Sequence, residues 1–252
     1  MKLTITKHTI FLLAIIAFCA CNDDLETSGV SRITQYPSYE FIGGNPFIAA
    51  EDNDLSEIDV VASSGGQQFD VSISSVFGKY TNYEGSTIPA SGVDEYTVTY
   101  SSNNADGFPS TAERTIYRVN TGDLTQGNLS GLYLATAINL RTSETFVNTP
   151  ILIWQTGTNT FELTHGMGGF FIEQFGSNGR VIGTEITVNN PNTYDVSFSA
   201  GFSVIDENFR PNYPAEFFSV DIISKTINFG ATIRFSAANT TSYQITLVQQ
   251  SN

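Results

Sequence analysis

The sequence predicts an all-β protein built as two antiparallel domains in tandem. Three observations carry this. Strand periodicity runs through most of the chain, helical periodicity is nearly missing, and turn chemistry punctuates the alternating segments at short intervals. Phe69-Asp70-Val71-Ser72-Ile73 alternates apolar with polar, and so does Tyr96-Thr97-Val98-Thr99-Tyr100. Tyr194 to Ala200, Ile227 to Phe235 and Tyr243 to Leu247 follow the same rule. Each segment has one apolar and one polar face, as an antiparallel sheet wet on one side requires. Asn103-Asn104-Ala105-Asp106-Gly107, Thr156-Gly157-Thr158-Asn159 and Asn178-Gly179 read as turns, the last as a two-residue hairpin loop.

The polar, glycine-bearing stretch Asn120 to Asn128 has little to pack and reads as a boundary. It divides a first domain, residues 31–120, from a second, residues 128–252, with no internal repeat. The chain has 252 residues and a formal charge of −14, from 11 Lys plus Arg against 25 Asp plus Glu. That balance excludes a basic nucleic-acid-binding stripe, so no nucleic-acid partner is expected. The 19 Phe and 11 Tyr equally exclude a disordered acidic tail.

Residues 1–20 read as a targeting segment. Lys2, Lys7 and His8 precede the apolar run Ile10 to Phe18, about half the ~20 residues that a spanning helix needs. Phe18-Cys19-Ala20-Cys21 resembles the bacterial lipobox. Cys21 fits as the lipidated residue because Ala20 before it is small; Cys19 fits less well, because bulky Phe18 would sit at the cleaved bond. An ordinary signal peptide with incidental cysteines is the competing reading. Cleavage before Cys21 leaves no free thiol and 9 basic against 25 acidic residues, a charge of −16. An anionic membrane would repel such a body, so the membrane contact is expected through the lipid. Residues 21–30 form a tether. Its Asn22-Asp23-Asp24-Leu25-Glu26 resembles the surface-export signal of Bacteroidetes lipoproteins, although a solvated tether explains it equally. By that resemblance the expected location is the outer membrane, lipid-anchored, facing the cell surface.

The first domain carries a second resemblance. Tyr96-Thr97-Val98-Thr99-Tyr100, then Asn104-Ala105-Asp106-Gly107-Phe108, then Arg114-Thr115-Ile116 resemble the last hairpin of bacterial Ig-like surface modules. The match covers about 30 residues. In the front half, Asp52-Asn53-Asp54-Leu55-Ser56-Glu57 replaces the usual Pro-Gly turn. The resemblance implies an Ig-like β-sandwich. The second domain, from Leu129-Ser130-Gly131-Leu132-Tyr133 to the last strand, is similar to the C-terminal domain that follows such modules in small lipoproteins encoded near glycan-uptake systems. About eight strands are expected there, in an antiparallel β-sandwich or flattened barrel with meander connections. The implied role is non-catalytic binding of a polysaccharide or oligosaccharide beside a TonB-dependent importer complex. The alternative is a structural or protein–protein docking lipoprotein subunit of a cell-surface complex.

No catalytic constellation emerges, and neither a metal nor a cofactor is expected. His165 is the one imidazole left after processing; beside Gly166 and Gly168-Gly169 it reads as structural or exposed. Glu173, flanked by Phe171-Ile172 and Phe175, comes nearest to a carboxylate in an apolar cradle, and strand alternation accounts for it equally. Asp52, Asp54, Ser56 and Glu57 loosely follow calcium-loop spacing but lack its glycine and its bidentate Glu, so calcium at this loop stays open. Sugar rings stack on flat aromatics, with polar groups at the rim. Asn208-Phe209-Arg210-Pro211-Asn212-Tyr213-Pro214 contains two prolines that argue against a central strand. A loop presenting Phe209, Arg210 and Tyr213 is therefore a candidate ligand platform, with packing at one end of the domain as the competing reading. Trp154 is a further candidate, although its apolar strand also suits a core position. Phe170 and Phe171, read as consecutive strand residues, are expected on opposite faces.

Overall fold

The computed structural model describes residues 34–251 apart from 56–59, 177–180, 183, 191–193, 200–201, 204–216 and 237–238. It is all-β, as the periodicity predicts. Cys21, Phe209, Arg210 and Tyr213 lie outside the described residues, as does the Asn178-Gly179 turn.

The first eight strands are β1 (Ser38–Phe41), β2 (Phe47–Ala49), β3 (Val60–Ser64), β4 (Gln67–Phe69), β5 (Ser72–Gly78), β6 (Glu84–Gly85), β7 (Asp94–Asn103) and β8 (Pro109–Arg118). They form two sheets, β1-β3-β4 and β2-β8-β7-β5-β6, with β2 running parallel to β8. Tyr96, Val98 and Tyr100 are all buried on one face of β7, and Ile116 returns to the same core. Between β7 and β8 the Asn104 side chain accepts hydrogen bonds from the backbone N–H groups of Asp106 and Phe108, while Gly107 takes the left-handed turn position at φ 83°. Tyr39 and Phe41 join the first core from β1, whereas Tyr36 precedes the strand and is exposed.

Two arginines on β8 are fully buried. Arg114 donates to the carbonyls of Ile42 (2.7 Å) and Gly44 (2.9 Å), and its guanidinium lies over the rings of Phe47 and Phe41. Arg118 donates to the carbonyls of Pro89 and Asn53 and lies over Tyr96. Each fork fastens loops from distant parts of the chain to β8.

The remaining strands are β9 (Gly131–Asn139), β10 (Thr145–Gln155), β11 (Thr160–Leu163), β12 (Val181–Ile182), β13 (Thr184–Asn190), β14 (Asp195–Ser199), β15 (Phe202–Ser203), β16 (Phe217–Asp221), β17 (Thr226–Ser236) and β18 (Asn239–Gln249). Eight of them make one antiparallel sheet, ordered β14-β13-β11-β10-β9-β18-β17-β16, and β12 pairs separately with β15. Two meanders thus meet where β18 pairs with β9. The apolar face of this sheet is filled by a plug, a tight 3-10 segment at Gly166–Gly169 running into helix α1 (Phe170–Phe175).

The plug corrects one expectation. Phe170 and Phe171 are not on a strand facing opposite ways. They open a six-residue helix and are both buried, packing edge-on against Tyr243. Backbone geometry forces the entry to this helix. Met167, Gly168 and Gly169 all have φ between 60° and 76°, and a Cβ on Gly168 would stand 2.7 Å from Ile245 Cγ2. The boundary stretch also packs more than its composition suggests. Leu124, in a 3-10 turn (Leu124–Gln126) capped by Asp123, is buried in the second core, and Gln249 donates to the carbonyls of Gly122 and Ser130.

A third apolar cluster joins the sandwich to the second sheet. Tyr117 and Val119 from the first body meet Leu132 and Leu152 from the second, with Ile48, Tyr80, Val93 and Trp154 packed around them. Trp154 is half-buried at this seam, opposite Glu162 on β11. It packs against the third cluster and is not part of the second domain's own core.

Candidate functional site

Beside the seam lies a pocket of about 470 Å³ to which both bodies contribute. The first sandwich supplies Phe77, Lys79 and Asn82 from the end of β5 and the loop after it. The second body supplies Thr149 and Pro150 from β10, His165 from the plug's entry, and Ile172 and Glu173 from α1.

One buried carboxylate shapes the first wall. Asp94, fully buried at the start of β7, accepts hydrogen bonds from the backbone N–H groups of Tyr80 (2.9 Å), Thr81 (3.1 Å) and Glu95 (2.7 Å), and from the Thr81 hydroxyl. A loop that would otherwise be governed by solvent is therefore fixed to the sheet. Gly78 is required there because a Cβ would collide with the Asp94 carboxylate. Within that loop Lys79 donates to Glu95 Oε2 at 2.7 Å, and its ammonium lies 5.5 Å from the centre of the Tyr80 ring. Tyr80 reaches across to the second body, with its hydroxyl 3.2 Å from Nε2 of His165 and the two rings edge-on. His165 is 1% exposed, so of the two readings of this residue the structural one describes it.

The second wall depends on how β10 loses its neighbour. β11 pairs with β10 only from Ile153 to Gln155, after which the chain leaves the sheet at Thr164. The rest of that flank of β10 is covered by the plug. A bulge at Asn148, itself left-handed at φ 60°, inserts one extra residue and turns Thr149 inward. The Thr149 hydroxyl then donates to Glu173 Oε1 at 3.0 Å, fixing a carboxylate at the pocket. Glu173 thus stands on a helix, not in the strand alternation that the sequence suggested.

Sequence reasoning singled out His165 and Glu173 but missed Phe77, Lys79, Asn82, Thr149, Pro150 and Ile172. They come from separate stretches of the chain, 77–82, 149–150 and 165–173, and no local pattern links them. Among the described residues no group of three or more His, Cys, Asp or Glu side chains is placed to hold a metal ion. Asp52 and Asp54 are exposed, and Ser56 and Glu57 lie outside the described residues. Elsewhere on the second sheet Glu162 stands opposite Glu185; burial first, then the Glu185 charge, raises the Glu162 carboxyl above its ordinary value.

The fold and pocket define a two-body β protein with a ligand-sized recess at the joint. A family model described as a C-terminal domain matches residues 121–249, just over half of the chain. The chain belongs to that C-terminal-domain family. Among solved structures it is similar to the lipoprotein BT2262 from Bacteroides thetaiotaomicron, at 16% identity and a TM-score of 0.49, covering 85% of this chain and 100% of that one. It is also similar to a protein of unknown function from Bacteroides ovatus, at 10% identity and a TM-score of 0.29, covering 84% of this chain and 94% of the other. No curated protein matches the chain.

Proposed function

We propose that the protein is an outer-membrane lipoprotein, anchored through Cys21 and facing the cell surface, that binds a polysaccharide or oligosaccharide without cleaving it. It would hold the glycan for a neighbouring TonB-dependent importer. The observation that carries this reading is the pocket at the joint. Phe77 is 45% exposed at its wall, and Asn82, Thr149 and Glu173 supply hydrogen-bonding groups around apolar Pro150 and Ile172. Apolar walls with a few convergent polar groups are the usual make-up of a ligand site.

The strand order supports the anchored arrangement. The Tyr39 hydroxyl donates to the carbonyl of Ser110 beside the β7–β8 turn, whereas Ala49 pairs with Arg118 at the far end of β8. The chain therefore enters the sandwich at one end and leaves for the second body at the other. A ten-residue β8 separates these ends by about 30 Å. The first sandwich is a spacer in this reading.

The test is retention of the detergent-solubilised mature chain on a panel of immobilised polysaccharides. One glycan class is expected to retain it, and Phe77→Ala to weaken retention roughly tenfold with an unchanged Tm. A second reading, docking to another surface protein, is favoured by the β16–β17 turn, where Ile223 is 93% exposed beside the half-exposed Ile222. Failure of every glycan to retain the protein, together with loss of a membrane partner on Ile223→Ser, would select that reading.

A further inference from the structure

We infer that the pocket selects an amine-bearing sugar, of the glucosamine type, and rejects acidic glycans. This rests on the glycan-binding reading above and concerns the charge of the ligand. Two ionised groups reach the pocket from opposite bodies, Lys79 and Glu173. They are not equivalent. The Lys79 ammonium is already matched by Glu95 at 2.7 Å and lies near the Tyr80 ring. Glu173 is held by a neutral donor, the Thr149 hydroxyl, and no cation pairs with it among the described residues. Among the described residues the lining therefore presents one negative charge with no cation against it, on a carboxylate that is itself exposed and stands beside Phe77, Pro150 and Ile172.

A ring with an ammonium substituent meets both demands. Its C–H face lies against Phe77, and its N–H groups donate to the Glu173 oxygen that Thr149 leaves available, a charge-assisted bond stronger than a neutral one. Asn82, at the rim with φ 54°, offers both a donor and an acceptor to ring hydroxyls. Uronic acids and sulfated sugars would bring a second anion against Glu173 in a body that already carries −14 over the whole chain.

The experiment is calorimetry on the detergent-solubilised mature chain at 0.15 M salt with three short probes: a glucosamine trisaccharide, its N-acetylated counterpart and a galacturonate trisaccharide. The free amine is expected to bind roughly five- to tenfold more tightly than the acetylated form, with no binding of the galacturonate. Glu173→Gln is expected to abolish the preference. Asp70→Asn, which removes an exposed charge elsewhere on the first sandwich, is expected to keep it; this separates pocket recognition from attraction to a negative body. Equal or tighter binding of the acetylated trisaccharide, or an equal loss in both variants, overturns the charge selection and leaves glycan binding standing. Failure of all three probes and of the polysaccharide panel overturns both. Capture of a trilysine peptide through Glu173 with no sugar bound identifies a cationic peptide ligand and also overturns the inference.

Discussion

Arg114 illustrates how a single side chain can close a sandwich without an acidic partner. Its guanidinium is fully buried, and it satisfies the carbonyls of Ile42 and Gly44 in the turn between β1 and β2. Arg114→Met fills the space but leaves two carbonyls without their donor, and is expected to cost roughly 2–4 kcal/mol in urea unfolding. Arg114→Lys is expected to recover less than half of that, because an ammonium cannot span both acceptors in the plane of the fork. A loss below about 0.5 kcal/mol would mean that water replaces the guanidinium. Glu162 gives the opposite sign. Its folded-state pKa is raised, by burial and then by Glu185, so the folded protein binds a proton more readily than the unfolded chain. The penalty is missing below the ordinary Glu value of about 4.3 and grows as pH rises through the folded value. Glu162→Gln is therefore expected to raise the Tm at pH 7, with the gap to the wild type closing below about pH 4. A gap that is constant with pH would place the effect in packing.

The plug is the element on which the second body depends, and it was the least legible in the sequence. The alternation of Tyr96, Val98 and Tyr100 and the turn at Asn104 to Gly107 could be read locally, because a strand repeats every two residues and Asn-Asp-Gly chemistry encodes the reversal. A six-residue helix has less than two turns, so Phe170 to Phe175 shows no helical period. Two adjacent phenylalanines then look like strand residues. The glycines beside them were the available signal, since left-handed backbone at three successive positions is incompatible with a continuing strand. Gly169 shows the constraint most directly, with φ 76° and a would-be Cβ 2.5 Å from Thr149 Cγ2. Gly169→Ala is expected to destabilise the protein by roughly 1–3 kcal/mol. Because Thr149 also holds Glu173, the same change should weaken ligand binding more than Phe175→Ala, which alters the exposed end of α1. Denaturation and calorimetry on both variants measure this; equal binding losses would uncouple the plug from the pocket.

At the scale of the whole molecule, the proposed binding depends on the joint. A pocket divided between two bodies keeps its dimensions only if the bodies keep their angle, and the seam of Tyr117, Val119, Leu132 and Leu152 supplies that rigidity. The sequence carried only part of this: the unbroken apolar run Ile151-Leu152-Ile153-Trp154 fits a strand covered on both faces, but nothing local names what covers the second face. Trp154 belongs to the same lesson: its apolar strand pointed to a core, and the structure puts it at the join between two cores. Burial of Tyr117, and secondarily the charge of Glu95, raises its phenol far above the ordinary value, as expected for a ring sealed in this contact. Leu152→Ala truncates the seam while leaving every pocket-lining side chain in place. It is expected to cost roughly 2–4 kcal/mol and to split a single calorimetric unfolding transition into two, as the sandwich and the plugged sheet lose their coupling. Glycan affinity should fall with it although no group near the ligand has changed. One unbroken transition with full affinity in this variant would mean that the linker, pinned by Leu124 and Gln249, holds the two bodies in register without the seam.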